Sequence, residues 1–159
     1  MVSDIQTDRL VLHPFTLAEA KRVYDRSPDD TDRWADDYPL EDEFDALAPF
    51  IDSFERDGDP QPFGLYQLRV DGVAVGGLGF SGPPEDGVVE VGYGLIEDAR
   101  GHGYAAEALE SAIEIAVAFG ATAVIADTDL DNLASQRTML NAGMREVSRE
   151  TERVHYRID

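Results

Sequence analysis

The sequence predicts a mixed α/β domain, with strands and helices in the order β-α-α-β-β-β-α-β-α-β-β. Three observations carry this fold class. Two alternating apolar runs, 63–70 and 73–80, meet at Asp71-Gly72, a dipeptide suited to a two-residue hairpin. Residues 101–119 carry their charged positions, Glu107, Glu110 and Glu114, on one narrow stripe and are mostly apolar elsewhere, the pattern of a deeply packed helix. Short apolar runs at 88–96 and 121–128 lie on either side of that helix and are too short to be helices themselves.

The elements follow in order. Leu10, Val11 and Leu12 mark a first strand over 9–13. Thr16-Leu-Ala-Glu19 is a capping box, so a helix starts at Leu17 and fades near Ser27-Pro28. Residues 28–45 hold nine acids with Trp34 and Tyr38 and form an irregular acidic segment. Phe44, Leu47, Phe50, Ile51 and Phe54 have helical spacing up to Gly58; Pro49 kinks this helix or marks its first turn. After the hairpin, 81–87 is a Gly/Pro loop. The strand 88–96 is softened by Gly92 and Gly94, which signal a bulge or close approach by a ligand. Gly120 suits the end of the long helix. A buried strand over 121–128, a short helix over 132–142 ending at Gly143, and late strands at 146–149 and 153–158 complete the chain. No repeat, low-complexity tract or linker divides residues 1–159, so one domain with one core is expected.

Composition narrows the function. Thirty-three acidic residues face thirteen basic ones, twelve of them Arg and only Lys21 a lysine, for a formal charge of −20. Nothing here would neutralise a nucleic-acid backbone, so nucleic acid is excluded as a partner. The acids run along the whole chain. A diffuse acidic surface with almost no lysine suits a cytoplasm at molar salt, where the Debye length of about 3 Å screens self-repulsion. The absence of cysteine removes disulfides, thiolate metal sites and a cysteine nucleophile. His13, His102 and His155 are too scattered for a metal site. No apolar run reaches membrane-spanning length and no signal peptide opens the chain, so a cytoplasmic protein without a membrane partner is expected.

The most informative segment is Arg100-Gly-His-Gly-Tyr-Ala105. A glycine turn opening a helix exposes unpaired N–H groups at the positive end of a helix dipole, a ready phosphate site. Gly101-x-Gly103-x-x-Ala106 also matches the dinucleotide fingerprint, with Asp127 26 residues after Gly101. Context removes that reading. Residues 97–100 separate the turn from its strand, and too little chain follows Asp127 for a dinucleotide domain.

The turn belongs to an ordered set: Glu90-Val-Gly-Tyr93, Arg100 to Ala105, Glu107-Ala108, Asn132-Leu-Ala-Ser135 and Asn141-Ala-Gly143. With these motifs the chain resembles the GNAT superfamily of acetyl-CoA-dependent N-acetyltransferases. Thr7-Asp-Arg-Leu-Val-Leu-His-Pro-Phe15 is similar to the opening strand of its Rim-type branch, which includes ribosomal-protein N-terminal acetyltransferases. Three residues depart from the pattern. His13 stands where the branch has arginine, Met144 replaces an aromatic, and Met139 occupies the place of a tyrosine that protonates the leaving thiolate in many GNAT enzymes.

The resemblance implies the GNAT fold, with adjacent parallel strands near 88–96 and 121–128 splaying to admit the pantetheine arm. It implies that Arg100, Gly101, His102, Gly103, Tyr104 and Ala105 cradle the coenzyme A pyrophosphate, and that the arm pairs with free backbone groups at Leu95 and Ile96. Asn132, an ordinary helix cap, also contacts the cofactor on this reading. Ser135 protonates the thiolate. Glu90, its pKa raised by partial burial, is the general base. Trp34 and Tyr38 line the acceptor site, and Glu107 is structural. The implied activity is direct acetyl transfer to a primary amine, either a protein N-terminal α-amine or a small-molecule amine, by a monomer or homodimer. A non-catalytic acetyl-CoA-binding module is the alternative from a different class.

Overall fold

A computed structural model describes residues 2–159. Its sheet, among the described residues, has eight strands in the order β1-β2-β3-β4-β5-β6-β8-β7. The strands are β1 (Ile5–Gln6), β2 (Val11–Pro14), β3 (Leu65–Val70), β4 (Val73–Phe80), β5 (Val88–Leu95), β6 (Ala123–Asp129), β7 (Arg145–Arg149) and β8 (Arg153–Ile158). The helices are α1 (Leu17–Tyr24), α2 (Glu43–Asp57), α3 (Tyr104–Ala118) and α4 (Leu133–Asn141). Every expected element is present. The addition is β1, a two-residue strand on β2 that is too short to leave a pattern in sequence.

Local chemistry explains the boundaries. The expected capping box at Thr16 and Glu19 is formed. Asp71 and Gly72 both take positive φ, 51° and 79°, the conformation that a tight hairpin between right-twisted strands requires. Helix α3 begins at Tyr104 rather than 101, because Gly101 and Gly103 have φ of 81° and 82°, outside the helical region. Helix α1 stops at Tyr24; Asp25 caps it and Arg26 turns left-handed at φ 53°. Pro49 lies inside α2, which continues through it.

Side-chain alternation assigns the two faces of the sheet. One register row runs His13↔Gln67↔Gly77↔Gly94, and it shares a face with Gly92 and Glu90. Helices α1 and α2 cover this face: Glu19 of α1 bonds His13, and Glu43 of α2 lies on Gly77. The opposite face carries Tyr93 with the buried Val89, Val91 and Leu95, and packs against α3 and α4. Tyr66, Tyr156, Leu12, Leu68, Leu109 and Met139 are among the most deeply buried core side chains.

The feature that positions the site is the β5–β6 pair. It is the parallel pair of the sheet, and its register covers only Val88↔Ala123, Val89↔Val124 and Glu90↔Ile125. Beyond Glu90 the two strands diverge.

Candidate functional site

The glycine turn stands at the mouth of this divergence. A 3-10 turn over Glu97–Ala99 ends β5, and Arg100 to Gly103 lead into α3. The backbone N–H groups of Gly101 to Ala106 have no acceptor among the described residues; the first N–H re-engaged is that of Glu107, on the Gly103 carbonyl at 3.2 Å. Six free donors at the start of a 15-residue helix make an anion cradle. Arg100 donates through Nε to the Leu95 carbonyl at 3.0 Å, which fixes its side chain across the turn. The His102 and Tyr104 rings stack at 5.3 Å.

A second arginine, unassigned in the sequence reading, supports the turn. Arg9 donates through Nη1 to the His102 carbonyl at 2.6 Å and lies over the Tyr104 ring at 4.8 Å. Glu107 holds it there, accepting from Arg9 Nε at 2.7 Å, from the Arg9 backbone N–H at 2.8 Å, and from the Thr7 hydroxyl. Glu107 therefore ties the start of the chain to the first turn of α3. Burial would raise its carboxyl, but the Thr7 and Arg9 hydrogen bonds outweigh this and hold it below its ordinary value. A sequence signal for Arg9 existed: it sits in the opening-strand motif, next to Leu10.

Register decides which backbone groups face the divergence. The Ile96 N–H donates to Val75 O at 2.9 Å, so it turns toward β4 and away from the gap. Antiparallel alternation then points the N–H and C=O of Tyr93 and Leu95 toward the gap. The Leu95 carbonyl is taken by Arg100, which leaves the Tyr93 N–H and C=O and the Leu95 N–H. Of the expected pair Leu95 and Ile96, Ile96 is therefore turned away from the gap, and the groups that face it are those of Tyr93 and Leu95. Ile96 instead lines a cavity of about 440 Å³ beside the turn, with Ala99, His102 and Tyr104 on one side and Asp36 and Asp37 on the other.

Glu90 and Ser135 lie on opposite faces of β5. Glu90 occupies the α1/α2 face, at the last paired rung, with Ser81 Oγ donating to its Oε1 at 3.1 Å. It is exposed. Gly92 beside it has no side chain to cover it, so the expected partial burial is not there. On the other face, Asn132 caps α4 by accepting the Ser135 N–H at 3.1 Å, and Ser135 Oγ lies 2.8 Å from the Tyr93 hydroxyl. Met139 is buried in the core, and the phenol near Ser135 comes from β5 instead. Burial raises the Tyr93 phenol, with Ser135 and Thr138 opposing by hydrogen bonding. Tyr93 closes the Glu-x-Gly-Tyr motif, where its odd spacing from Glu90 already put it on the other face.

Trp34 and Tyr38 lie over the α1/α2 face. Trp34 bridges to Ala74 and meets Tyr38 edge-on at 5.5 Å. Tyr38 is buried, and its hydroxyl accepts from Gln67 Nε2 at 3.1 Å. Tyr38 thus forms part of the floor of this face. Glu43, one of the nine acids in residues 28–45, has its Oε1 buried against Gly77.

A diverging parallel pair with a free N–H row at its mouth is the architecture of an acyl-coenzyme A transferase. The family comparison agrees: residues 9–145 match the acetyltransferase (GNAT) domain model, and the chain belongs to the GNAT family of acetyltransferases. Among curated proteins it is similar to the uncharacterised N-acetyltransferase YjdG of Bacillus subtilis, with 29% identity over 111 residues, 67% of this chain. The match spans 66% of that relative's own length. Its fold is like that of RimL, a ribosomal L7/L12 α-N-protein acetyltransferase solved with coenzyme A (TM-score 0.71, 15% identity, 98% of this chain and 97% of that one). It is also like that of the microcin C7 self-immunity acetyltransferase MccE, solved with acetyl-CoA and AMP (TM-score 0.70, 14% identity, 99% and 97%).

Proposed function

We propose that this protein is a cytoplasmic, Rim-type N-acetyltransferase, acting as one domain, that moves the acetyl group of acetyl-CoA directly to a primary amine, with a peptide N-terminal α-amine as the leading acceptor. The observation that carries the reading is the placement of Glu90 and Ser135 on opposite faces of the diverging strand, next to the free N–H row of Gly101 to Ala106. The likeness to RimL supports the acceptor class.

The chemistry follows from this placement. The N–H row and Arg100 hold the pyrophosphate, and Asn132 borders the path of the arm. The arm enters between β5 and β6, where the Tyr93 and Leu95 N–H groups aim at the amide and thioester oxygens and offset charge developing on the carbonyl. The amine approaches from the α1/α2 face. Its ammonium gives a proton to Glu90, by way of water, and the nitrogen lone pair attacks the thioester carbon. The carbon–sulfur bond breaks as the nitrogen sheds its second proton to water; the thiolate takes a proton from Ser135, whose hydroxyl is re-protonated from water through Tyr93. A thiolate with an ordinary pKa of about 8.5 also takes protons from water, so loss of Ser135 is a modest defect.

The test is steady-state coenzyme A release with a panel of primary amines and free-N-terminus peptides in molar KCl. Turnover above hydrolysis, with a Glu90→Gln variant losing kcat/KM in a pH-dependent way, is the expected result. Tight acetyl-CoA binding with no amine-dependent turnover would instead establish a binding module.

A further inference from the structure

One polar chain crosses the α1/α2 face by way of the paired residues His13 and Gln67. Asp4 bonds His13 Nδ1 at 2.5 Å, and His13 Nε2 meets Glu19 at 2.8 Å. Glu19 lies 3.6 Å from Arg69 Nη2, and Arg69 Nε donates to Gln67 Oε1 at 2.7 Å. Gln67 Nε2 donates to the Tyr38 hydroxyl at 3.1 Å, and Tyr38 stands beside Glu43. The chain ends there. Glu43 Oε1 is wholly buried and has no hydrogen-bond partner among the described residues.

The reason lies in the floor beneath it. A Cβ on Gly77 would come within 2.8 Å of Glu43 Oε1, and Gly77 pairs directly with Gly94 of β5. Two adjacent glycines bring no side chain that could satisfy the oxygen. A buried carboxylate oxygen left without a donor costs on the order of several kcal/mol unless something supplies one. The strand carrying Gly94 is the one whose far edge faces the gap, and Glu90 lies four residues away on the same face, about 13 Å at strand rise. Both carboxylates lie on the α1/α2 face, from which the proposed acceptor approaches.

We propose that Glu43 is the acceptor-binding carboxylate, whose unpartnered Oε1 receives the N–H donors of a cationic primary amine and selects that class over neutral nucleophiles. This rests on the acetyltransferase reading above. Glu43 selects and holds the incoming ammonium, and Glu90 takes its proton after the amine has advanced along this face to the thioester.

The titration of the group gives the inference a readout of its own. Burial raises the Glu43 carboxyl to about 8, with the Tyr38 hydroxyl opposing. The groups facing it are Tyr38 from the segment before α2 and, one bond further, Gln67 and Arg69 from β3; Gly77 and Gly94 add none. At pH 7 the carboxyl holds its proton, and pairing with an ammonium must expel it.

The experiment is calorimetric titration of coenzyme A-bound protein with spermidine, ethanolamine and a free-N-terminus serine hexapeptide at pH 7. Each titration is run in two buffers of different ionisation enthalpy. Release of close to one proton per bound amine is expected, with none in Glu43→Gln. In turnover assays Glu43→Gln should raise the acceptor KM tenfold or more with the acetyl-CoA KM within twofold, and Glu43→Asp should fall between. Equal proton release in wild type and Glu43→Gln, an unchanged acceptor KM, or no amine binding at all would overturn the inference. If wild type turns over amines and Glu43→Gln behaves identically, only this inference fails. If wild type binds amines with Glu43-dependent proton release but never acetylates them, the acetyltransferase reading fails and the binding role stands.

Discussion

Replacing Glu107 by alanine should weaken both the fold and the coenzyme site, and the size of each effect follows from three bonds. The carboxylate accepts from the Thr7 hydroxyl, the Arg9 N–H at 2.8 Å and Arg9 Nε at 2.7 Å. Its side chain is 16% exposed against 47% for Arg9. The guanidinium pair is therefore half in water and contributes about 0.5 kcal/mol. The two other bonds reach a mostly buried charged acceptor, and each contributes about 1 kcal/mol net. The variant should lose about 2–3 kcal/mol, or roughly 5–10 °C in Tm for a chain of this length. It should also free Arg9 from the His102 carbonyl and raise the acetyl-CoA KM about threefold to tenfold, with kcat nearly unchanged. The carboxyl sits below its ordinary value of 4.5 when folded, so its contribution is present above that pH and is lost as pH falls beneath it. Urea unfolding of both proteins at pH 7 and pH 3, with acetyl-CoA kinetics at pH 7, measures all three. A loss under about 0.5 kcal/mol at pH 7 together with an unchanged acetyl-CoA KM would refute the tie between the chain start and the turn.

Three further outcomes follow. His13 is raised above 6.5 by its hydrogen bond to Glu19, burial opposing and Asp4 adding; its contribution is complete below pH 6.5 and is lost as pH rises through its raised folded value. Burial would raise Glu19, but the His13 and Thr16 hydrogen bonds take it down to about 2, so its contribution is present above 4.5 and is lost toward pH 2. His13→Ala should accordingly destabilise most between pH 4.5 and 6.5, with a smaller effect in melts at pH 3 and pH 9; a pH-independent difference would contradict the pairing. Gly76→Ala places a Cβ 2.2 Å from the Gly94 carbonyl, so urea unfolding should show a loss of about 1–3 kcal/mol; a neutral result would mean that β4 and β5 shift freely. With a charge of −20, the chain should be less stable in 0.1 M than in 2 M KCl, and equal melts would argue against a salt-adapted surface.

The half of the site that meets the donor was legible in sequence because it is local. A phosphate cradle is built from backbone, and backbone conformation is announced by Gly101 and Gly103 within one turn of the helix they open. Asn132 and Ser135 are likewise one cap and its first turn. Only two details escaped. Which N–H groups face the gap depends on the phase of the β4–β5 ladder, which turns Ile96 away and brings Tyr93 to the gap. The hold on Arg9 joins residues 98 apart, through a glutamate that sequence alone marked merely as structural.

The half that meets the acceptor was hidden for a different reason. Its residues come from the chain start, α1, the acidic segment, α2 and β3, and they meet only because one register row aligns His13, Gln67, Gly77 and Gly94. Trp34 and Tyr38 stood out as aromatics in an acidic segment, but Glu43 did not, because in a chain with thirty-three acids an additional carboxylate carries no signal. What separates it from the rest is a physical property that no composition shows. Surface carboxylates keep their water, whereas Glu43 holds one oxygen buried against Gly77 without a hydrogen-bond partner among the described residues, beside the Tyr38 hydroxyl. A salt-adapted surface and the ammonium site proposed for Glu43 would both use carboxylates, and they differ in solvation. Surface acids keep their hydration and are screened by salt, while a desolvated carboxyl that has given up its proton to pair with an ammonium is screened far less at molar KCl. A chain adapted to salt would need its selective carboxylate buried, where the ionic strength that stabilises the fold does not weaken recognition of the amine.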